Sequence, residues 1–336
     1  MANVLCFGEL LLRMSPALGQ AWIRKTTMPV YVGGAELNAA QALAKWKVPI
    51  KYLSAAPDHY LTHEILDSLS ANGIDINSVI LSGNRIGTYF LPQGADLKNA
   101  GVIYDRAHSS FSELQSNQVD WDNVLKGCSW FHLSAICPAL NQNLADVCLE
   151  AVKAARRLGL AVSIDLNYRA KLWQYGKAPL DIMPELMKYC TVAMGNLWAA
   201  ETMLGIKSPV KTSVGASSTE LRQAANTSIA AMFDRYSSLT HAAYTFRLQE
   251  EYFGVLQSKQ TVVQSRIHSL GEIVDKVGSG DCFMAGLIYG LFHHYAEQQI
   301  IDFAASAAVG KLYEVGDATN QSVEMIQQRI QKVDNK

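Results

Sequence analysis

The chain of 336 residues carries 29 basic and 30 acidic side chains, which gives a formal net charge of −1. This balance offers no basic surface for nucleic acid or an anionic membrane, so neither partner is expected. Hydrophobic residues make up 49% of the sequence, enough for a sizeable core. No apolar run approaches the ~18 residues that span a bilayer. At this length we expect one large domain with an inserted subdomain, or two domains.

The six cysteines include no Cys-x-x-Cys pair, and most lie in apolar runs, where thiols pack as small hydrophobic groups. A reducing, cytoplasmic environment is therefore expected. The N-terminal segment MANVLCFGELLLRM looks like a short signal sequence, but Glu9 interrupts it and no basic region precedes it. We interpret this segment as a first β-strand.

Apolar runs of strand length alternate with amphipathic segments along the chain. Buried strands are predicted at residues 4–7, 50–53, 130–133, 161–166, 191–194 and 242–246. Helices are predicted near residues 36–46, 61–71, 141–158 and 218–235. This alternation predicts an α/β sandwich with a mostly parallel sheet.

Two segments depart from this pattern, at about 10–32 and 84–107. In the second, the runs 86–91 and 101–106 alternate apolar and polar residues and flank a turn-rich stretch. They predict a small antiparallel sheet inserted into the main fold. The segment 205–220, rich in Ser, Thr, Gly and Lys, is predicted to be an exposed loop.

A glycine-rich turn places Asp281 at the start of an apolar helix. Gly278 and Gly280 lack a β-carbon, so their N–H groups can turn outward, and the helix adds the positive end of its dipole. This predicts an anion cradle, with Asp281 beside it to accept a proton from a hydroxyl that attacks a terminal phosphate. In the alternative interpretation, Ser279 or Asp281 merely caps a helix that runs to about His294.

Two segments, Gly33-Gly34-Ala35-Glu36-Leu37-Asn38-Ala39-Ala40 and residues 275–286, carry a family resemblance. Over nearly its whole length the chain resembles ribokinase-like carbohydrate kinases of the PfkB family, and within that family the 2-keto-3-deoxygluconate kinases. The resemblance implies a Rossmann-type three-layer α/β/α sandwich with a small β-sheet lid. It implies a single kinase domain over 1–336, with the lid formed by about 10–32 and 84–107.

The resemblance also implies where the sugar binds. It carries over Gly34 and Asn38, whose bare backbone and amide suit a polyhydroxylated ligand, although they also fit an ordinary strand-to-helix turn. It carries over four further contacts: Tyr89, Tyr104, Arg106 and Arg169. A guanidinium matches a carboxylate with a planar fork of donors, which a neutral sugar does not require. The alternatives are a solvated Arg106 paired with Asp105 or Glu113, and Arg169 as a surface helix cation.

The predicted nucleotide contacts, Asn196 and Arg247 beside the Gly278 and Gly280 amides, lie in segments that depart from the family pattern. Ala199 stands where many relatives carry a glutamate that organises Mg²⁺ through water. Mg²⁺ is held mainly by substrate phosphates, so this loss need not abolish activity. Thr245-Phe246-Arg247 replaces the family's Lys-x-Gly. Arg247 could supply the phosphate-facing charge, and a role as a surface residue near Glu250 and Glu251 remains equally open.

The sequence therefore predicts transfer of the γ-phosphoryl group of ATP, with Mg²⁺, to a small acidic sugar, most specifically O6 of 2-keto-3-deoxygluconate. Asp281 would accept the proton, while the Gly278, Ser279 and Gly280 amides stabilise the transferring phosphoryl group. Asp275 lies where relatives bind a monovalent cation, so K⁺ is a candidate cofactor; no other metal site is assigned.

Two alternatives and an assembly state accompany this prediction. The alternatives are a kinase for a neutral sugar such as fructose or ribose, and a catalytically weak sugar-binding protein of the same fold. The alternating lid strands would leave an apolar face and an unpaired edge exposed. We therefore expect a homodimer or a higher homo-oligomer built through the lid.

Overall fold

The computed structural model describes residues 3–16, 28–92 and 101–334. Its strands are β1 Asn3–Phe7, β2 Leu11–Met14, β3 Val30–Gly33, β4 Ile50–Leu53, β5 Ala55–Ala56, β6 Ile74–Asp75, β7 Ile80–Leu81, β8 Gly87–Phe90, β9 Ile103–Asp105, β10 Cys128–Ser134, β11 Ala161–Asp165, β12 Val192–Gly195, β13 His241–Arg247, β14 Glu251–Ser258, β15 Val262–Gln264 and β16 His268–Ser269. Its helices are α1 Ala35–Lys45, α2 Tyr60–Ala71, α3 Trp121–Val124, α4 Gln142–Arg157, α5 Pro179–Met187, α6 Leu197–Leu204, α7 Ser218–Arg235, α8 Ser279–Phe292, α9 Glu297–Lys311 and α10 Val323–Asp334.

A ten-stranded sheet forms the centre of the fold, in the order β15-β14-β13-β12-β11-β10-β1-β4-β6, with β16 also paired to β14. The pairings from β6 to β13 are parallel, and β14 to β16 add an antiparallel edge. Parallel neighbours need crossover connections, which place helices on both faces of a sheet. The predicted α/β sandwich is confirmed, as are the six predicted strands and four predicted helices.

Strand β1 shows why both faces of the sheet are covered. Val4 and Cys6 belong to one buried cluster, which includes residues of α1, α8 and α9. Leu5 and Phe7 belong to a second cluster, which includes residues of α4 and α7. Successive side chains of a strand point to opposite faces, so a strand that is apolar throughout requires a helical layer on each side.

Helix α8 is held against α9 by close backbone contact. A β-carbon on Gly286 would lie 2.6 Å from the Cα of Ala304, and one on Gly290 would lie 2.8 Å from Cγ1 of Ile300. Both distances are shorter than van der Waals contact, so these positions require glycine. This packing fixes where the N-terminus of α8 lies relative to the sheet.

The predicted small sheet is confirmed, in the order β3-β2-β8-β9, and we call it the lid sheet. Its outer pairs are antiparallel, but the central pair β2–β8 is parallel, so the prediction of an antiparallel sheet was wrong for that pair. Only antiparallel strands can be joined by a short hairpin, and no hairpin joins these two distant strands. Parts of the two predicted lid segments, 17–27 and 93–100, lie outside the described residues.

The remaining loop and helix predictions also hold. Helix α6 ends at Leu204 and α7 begins at Ser218, so the predicted loop lies between them. Helix α8 ends at Phe292, two residues before the predicted end. Within the three described ranges, no helix is both long enough and apolar enough to cross a membrane.

Candidate active site

The candidate site lies where loops leave the carboxyl ends of the parallel strands, the usual position for ligands in open α/β sheets. Glu36, in the first turn of α1, fixes two of these loops. Its Oε1 accepts hydrogen bonds from the Ser134 amide at 2.8 Å and from Cys137 Sγ at 3.2 Å. A β-carbon on Gly8 would lie 2.1 Å from Oε2 of Glu36, so the loop after β1 approaches it closely.

Asn38 and Asp281 are brought together although 243 positions separate them in the sequence. Asn38 Nδ2 donates a hydrogen bond of 2.7 Å to Oδ2 of Asp281. The amide is buried, with 4% of its surface exposed, and its Oδ1 has no hydrogen-bond partner among the described residues. An unpaired buried acceptor is costly, so a donor from a ligand would satisfy it.

The surroundings of Asp281 perturb its ionisation. Burial raises the pKa of its carboxyl group to about 8, and Asp165 and Glu36 act in the same direction. The hydrogen bond from Asn38 and the charge of Arg169 oppose this rise because both favour the ionised form. The result is a carboxyl group whose pKa lies near neutral pH, the range in which a general base is most effective.

The turn before α8 has the geometry of an anion cradle. Gly278 has a φ of 79°, in the left-handed region, and an added β-carbon would lie 1.9 Å from the carbonyl oxygen of Asp317. Ser279 turns its hydroxyl inward, donating to the Ala308 carbonyl at 3.0 Å. A β-carbon on Gly280 would meet nothing within 4 Å among the described residues, so the space beside it is open. The described residues provide no side-chain cap for α8, contrary to the capping alternative.

Gly33 and Gly34 also allow neighbouring groups to come very close to the backbone. Gly34 has a φ of 129°, and an added β-carbon would lie 2.1 Å from the carbonyl oxygen of Glu9. On Gly33 an added β-carbon would lie 2.2 Å from Oδ2 of Asp317. The chain can therefore pass from lid strand β3 into α1, close to Glu9 and Asp317, only if neither glycine is replaced by a residue with a side chain.

Arg106 is buried rather than solvated, and its ion-pair partner is one that the sequence did not suggest. Only 5% of its surface is exposed, and it forms an ion pair with the equally buried Glu9, with Nε donating to Oε2 at 2.6 Å. The partners considered from the sequence are engaged elsewhere, Asp105 with Arg85 and Glu113 with His108. Arg106 would therefore meet a sugar carboxylate with its charge already balanced by Glu9.

Arg169 lies in the loop after β11 and is half-buried. Within the described ranges, its guanidinium makes one hydrogen bond, from Nη1 to the carbonyl of Tyr168 at 3.0 Å. Its positive charge lowers the pKa of Asp281. Arg169 is thus a cation whose charge acts on the proposed base, without a carboxylate partner in the described ranges, and it does not belong to a surface helix.

The two tyrosines lie side by side in the lid sheet, with ring centroids 6.3 Å apart. The hydroxyl of Tyr89 donates to Oδ2 of Asp317 at 2.8 Å, so it is already used within the protein. Burial raises the pKa of Tyr89 well above its usual value, and Asp317 reinforces this. Tyr104 is the more exposed of the pair.

The predicted nucleotide contacts lie at the ends of β12 and β13. Asn196 caps α6, its Oδ1 accepting from the amides of Trp198 and Ala199. Arg247 is the last residue of β13, opposite Tyr252 of β14, and is half-buried. No group of three or more His, Cys, Asp or Glu side chains suited to a metal occurs in residues 3–16, 28–92 and 101–334.

Sequence reasoning missed a buried cluster behind the cradle. Asp275 is fully buried and is paired with Arg13 of the lid strand β2, with Nη2 to Oδ2 at 2.7 Å. Arg13 also lies 2.7 Å from Asp317 through Nε and Oδ1. Glu9, the partner of Arg106, was missed as well, except as an interruption of an apolar segment.

Comparison with known proteins accounts for this geometry. The model of the pfkB family carbohydrate kinases matches residues 1–322. The chain belongs to the pfkB family of carbohydrate kinases. The crystal structure of 2-dehydro-3-deoxygluconokinase from Thermotoga maritima superposes on this kinase with a TM-score of 0.88 at 30% identity, covering 98% of this chain and 100% of that one.

Two further relatives extend the comparison. The curated 2-dehydro-3-deoxygalactonokinase of Haloferax volcanii is 30% identical over 172 residues, about half of each protein, at 51% of this chain and 54% of the relative. A putative ribokinase II from E. coli, solved in complex with ATP and Mg²⁺, has a TM-score of 0.79 at 19% identity, covering 99% of this chain and 100% of that one. The second likeness shows the shared fold. The family identifies the chain as a sugar kinase.

Proposed function

We propose that this kinase phosphorylates a small acidic sugar, with 2-keto-3-deoxygluconate as the first candidate. The observation that carries the proposal is Arg169, a half-buried guanidinium whose charge lowers the pKa of Asp281 and which has no carboxylate partner in the described ranges. A sugar carboxylate would supply the missing partner and bring a hydroxyl of the same molecule toward Asp281. The T. maritima relative bears the name of a kinase for such an acid.

The proposed reaction begins with a sugar hydroxyl beside Asp281 and ATP, bound as its Mg²⁺ complex, beside the cradle. Ionised Asp281 accepts the hydroxyl proton, and the oxygen attacks the γ-phosphorus as the bond to the β-phosphate oxygen breaks. The amides of Gly278, Ser279 and Gly280 stabilise the charge on the transferring phosphoryl oxygens. Oδ1 of Asn38 accepts a hydrogen bond from another sugar hydroxyl, while its Nδ2 holds Asp281.

The nucleotide half of the site is proposed from a structural neighbour and from the open space in the cradle. ATP and Mg²⁺ are bound by the ribokinase II neighbour, and the open space beside Gly280 suits phosphate groups. Because Mg²⁺ keeps several waters and binds mainly through phosphates, the missing glutamate at Ala199 is compatible with this role. Asn196 and Arg247 remain the proposed protein contacts. A cytoplasmic location is proposed with them, since ATP is the donor.

A neutral-sugar kinase is the second candidate, and the Glu9–Arg106 ion pair favours it. That pair removes one of the two free cations that the sequence suggested for a carboxylate. A coupled assay of ADP release decides between the candidates, using keto-deoxy sugar acids against fructose and ribose. A preference of the wild-type enzyme for fructose or ribose would overturn the acid-sugar proposal.

Asp281→Asn tests the proposed base in the same assay. The amide keeps the shape of the carboxyl group but cannot accept the proton, so turnover should fall by ~10²–10⁴-fold, the usual contribution of a general base. Sugar binding, measured by calorimetry, should change little. Turnover within about threefold of wild type would rule out this role for Asp281.

A further inference from the structure

Arg13 is a completely enclosed charged residue near the candidate site. None of its side-chain surface is exposed, and it contacts carboxylates from two loops, Asp275 and Asp317, each at 2.7 Å. Its guanidinium carbon lies 4.7 Å from the centroid of the Tyr31 ring, which adds a cation–π contact. Asp317 also accepts the Tyr89 hydroxyl at 2.8 Å. The lid sheet is thereby tied to both loops.

Both carboxylate oxygens of Asp275 are already engaged by groups of the protein, and one of these groups is a cation. Oδ2 contacts Arg13 and accepts from the Gly316 amide at 3.4 Å, while Oδ1 accepts from the Val277 amide at 3.1 Å. Lys311 is a second buried cation, and its Nζ donates a hydrogen bond of 3.1 Å to the carbonyl of Glu314. This loop carbonyl is therefore also engaged by a positive charge of the protein. The residues around Asp275 therefore do not fit the monovalent cation that the family resemblance implies.

This cluster borders the anion cradle on two sides. Asp275 holds the Val277 amide in the turn that leads directly into Gly278. The carbonyl oxygen of Asp317 would lie 1.9 Å from a β-carbon on Gly278, so the Asp317 loop packs against the same turn. Buried carboxylates need a compensating positive charge to remain in place. Without one, neither loop would keep the conformation that directs the cradle amides outward.

We propose that Arg13 is a positioning residue that acts as a built-in monovalent cation for the cradle. Its guanidinium balances Asp275 and Asp317 and fixes the turn before α8, so the kinase works without K⁺. The activity measurements that test this rest on the proposed function, whereas the thermal-unfolding measurements do not.

The first experiment uses the wild-type protein in K⁺, Na⁺ or choline chloride at equal ionic strength. ADP release with the best sugar of the panel should agree within about twofold across the three salts. The midpoint of thermal unfolding should likewise be the same in each salt. Activation by K⁺ of more than about fivefold over choline would overturn the proposal.

The second experiment removes the internal cation in Arg13→Ala. We expect turnover to fall at least about tenfold with a smaller change in KM, and to be partly restored by K⁺ or by methylguanidinium but not by choline. K⁺ should also raise the unfolding midpoint of this variant. Arg13→Lys keeps the charge without the planar fork and should lie between the variant and wild type. A purely structural role would give a loss that no cation restores.

Arg266→Ala is the matched control, because it breaks another Arg–Asp pair, with Asp302, outside the candidate site. It should lower the unfolding midpoint without creating a response to K⁺. If Arg13→Ala does not fold, Arg13→Lys and the wild-type salt series decide. Turnover of Arg13→Lys below that of wild type, with no salt response of wild type, supports the proposal, whereas a K⁺ response of wild type refutes it.

If no sugar supports ADP release in any salt, the proposed function fails on its own. The unfolding midpoints then decide the role of Arg13. A K⁺-specific rise in Arg13→Ala with none in wild type supports the internal cation. A K⁺-specific rise in wild type, or none in the variant, overturns it.

Discussion

At the scale of single residues, burial and the groups around Asp281 together set its pKa, and this pKa decides the pH at which the kinase works. Burial raises the pKa of this carboxyl group to about 8, while Asn38 and Arg169 lower it. Only the ionised form accepts a proton, so the active fraction grows as pH rises through the pKa of the free enzyme and levels off above it.

We therefore expect kcat/KM to rise from neutral pH, to reach half of its maximum near pH 8 and to level off about one to two pH units higher. Asn38→Ala removes a hydrogen bond to the ionised carboxylate, so the pKa of Asp281 should rise and the profile should move to higher pH. Asn77→Ala, at an exposed asparagine in the turn after β6, is the control and should leave the profile in place. A profile that Asn38→Ala does not move would show that another group limits the rate.

The two arginines should respond differently to truncation. Arg169→Ala should lower kcat/KM for an acidic sugar at least about tenfold, or about 1.4 kcal/mol, and change little for a neutral one. Arg106→Ala leaves buried Glu9 unpaired, which should cost about 3–5 kcal/mol of unfolding free energy. Kinetics on both sugar classes and urea denaturation of each variant measure the contrast. Equal losses on both sugar classes for Arg169→Ala would indicate a structural role.

Some of the site could be predicted from single residues, and some could not. Asn38 and Asp281 lie in short glycine-rich signatures, and the structure brings them within hydrogen-bond distance. Arg13 and Lys311 carry no motif, but each is a lone charge in an apolar run, which signals a buried partner. Asp275 lies 262 positions from Arg13, and its second partner Asp317 lies farther still, so spacing in the sequence gives no information about these contacts.

At the scale of elements, α4 is an example of a helix predicted from one apolar face, since Leu144, Cys148 and Ala151 are buried at spacings of four and three residues. Helix α9 was missed because it is apolar on nearly all sides, buried from Ile300 to Lys311, so it lacks the amphipathic period. The strand β14 was missed too, although it is the antiparallel partner of β13. Periodicity identifies elements at a surface, and it is weakest for elements covered on every side.

Gly278 directly precedes α8, and its amide belongs to the proposed anion cradle. A change at this position therefore affects both the start of the helix and catalysis. Gly278→Ala puts an L residue at φ of 79°, at a cost of roughly 1–2 kcal/mol, and its β-carbon would meet the Asp317 carbonyl. We expect lower stability and a larger loss in kcat than in sugar affinity, since the amide directions would change. Gly159→Ala, also at positive φ but with open space around it, separates backbone strain from displacement of the cradle. Unfolding midpoints and steady-state kinetics of both variants separate the two effects. An equal loss of kcat in Gly278→Ala and Gly159→Ala would contradict the prediction.

At the scale of the whole molecule, the lid sheet has two chemically different faces. One cross-strand row, which includes Arg13 and faces the Asp275 and Asp317 loops, consists of Tyr31, Arg13, Tyr89 and Tyr104. The next row points to the opposite face, because strand side chains alternate. It is apolar across the whole sheet and consists of Val30, Met14, Phe90 and Ile103. One face thus belongs to the candidate site, and the other carries this apolar row, whose ends are exposed.

We expect that apolar row to pack against a second copy of the lid, giving a homodimer. Its ends, Val30 and Ile103, are 52% and 53% exposed on the edge strands β3 and β9, an arrangement that favours association. Ile103→Asp would place a charge in the contact and should shift the protein to monomers in light scattering at micromolar concentration. Val262→Asp, at an exposed valine on β15 outside the lid, should leave the dimer intact. Because the lid also carries Arg13 and Tyr89, the monomeric variant should lose sugar affinity as well as its partner. A wild-type protein that is monomeric under the same conditions would refute assembly through the lid.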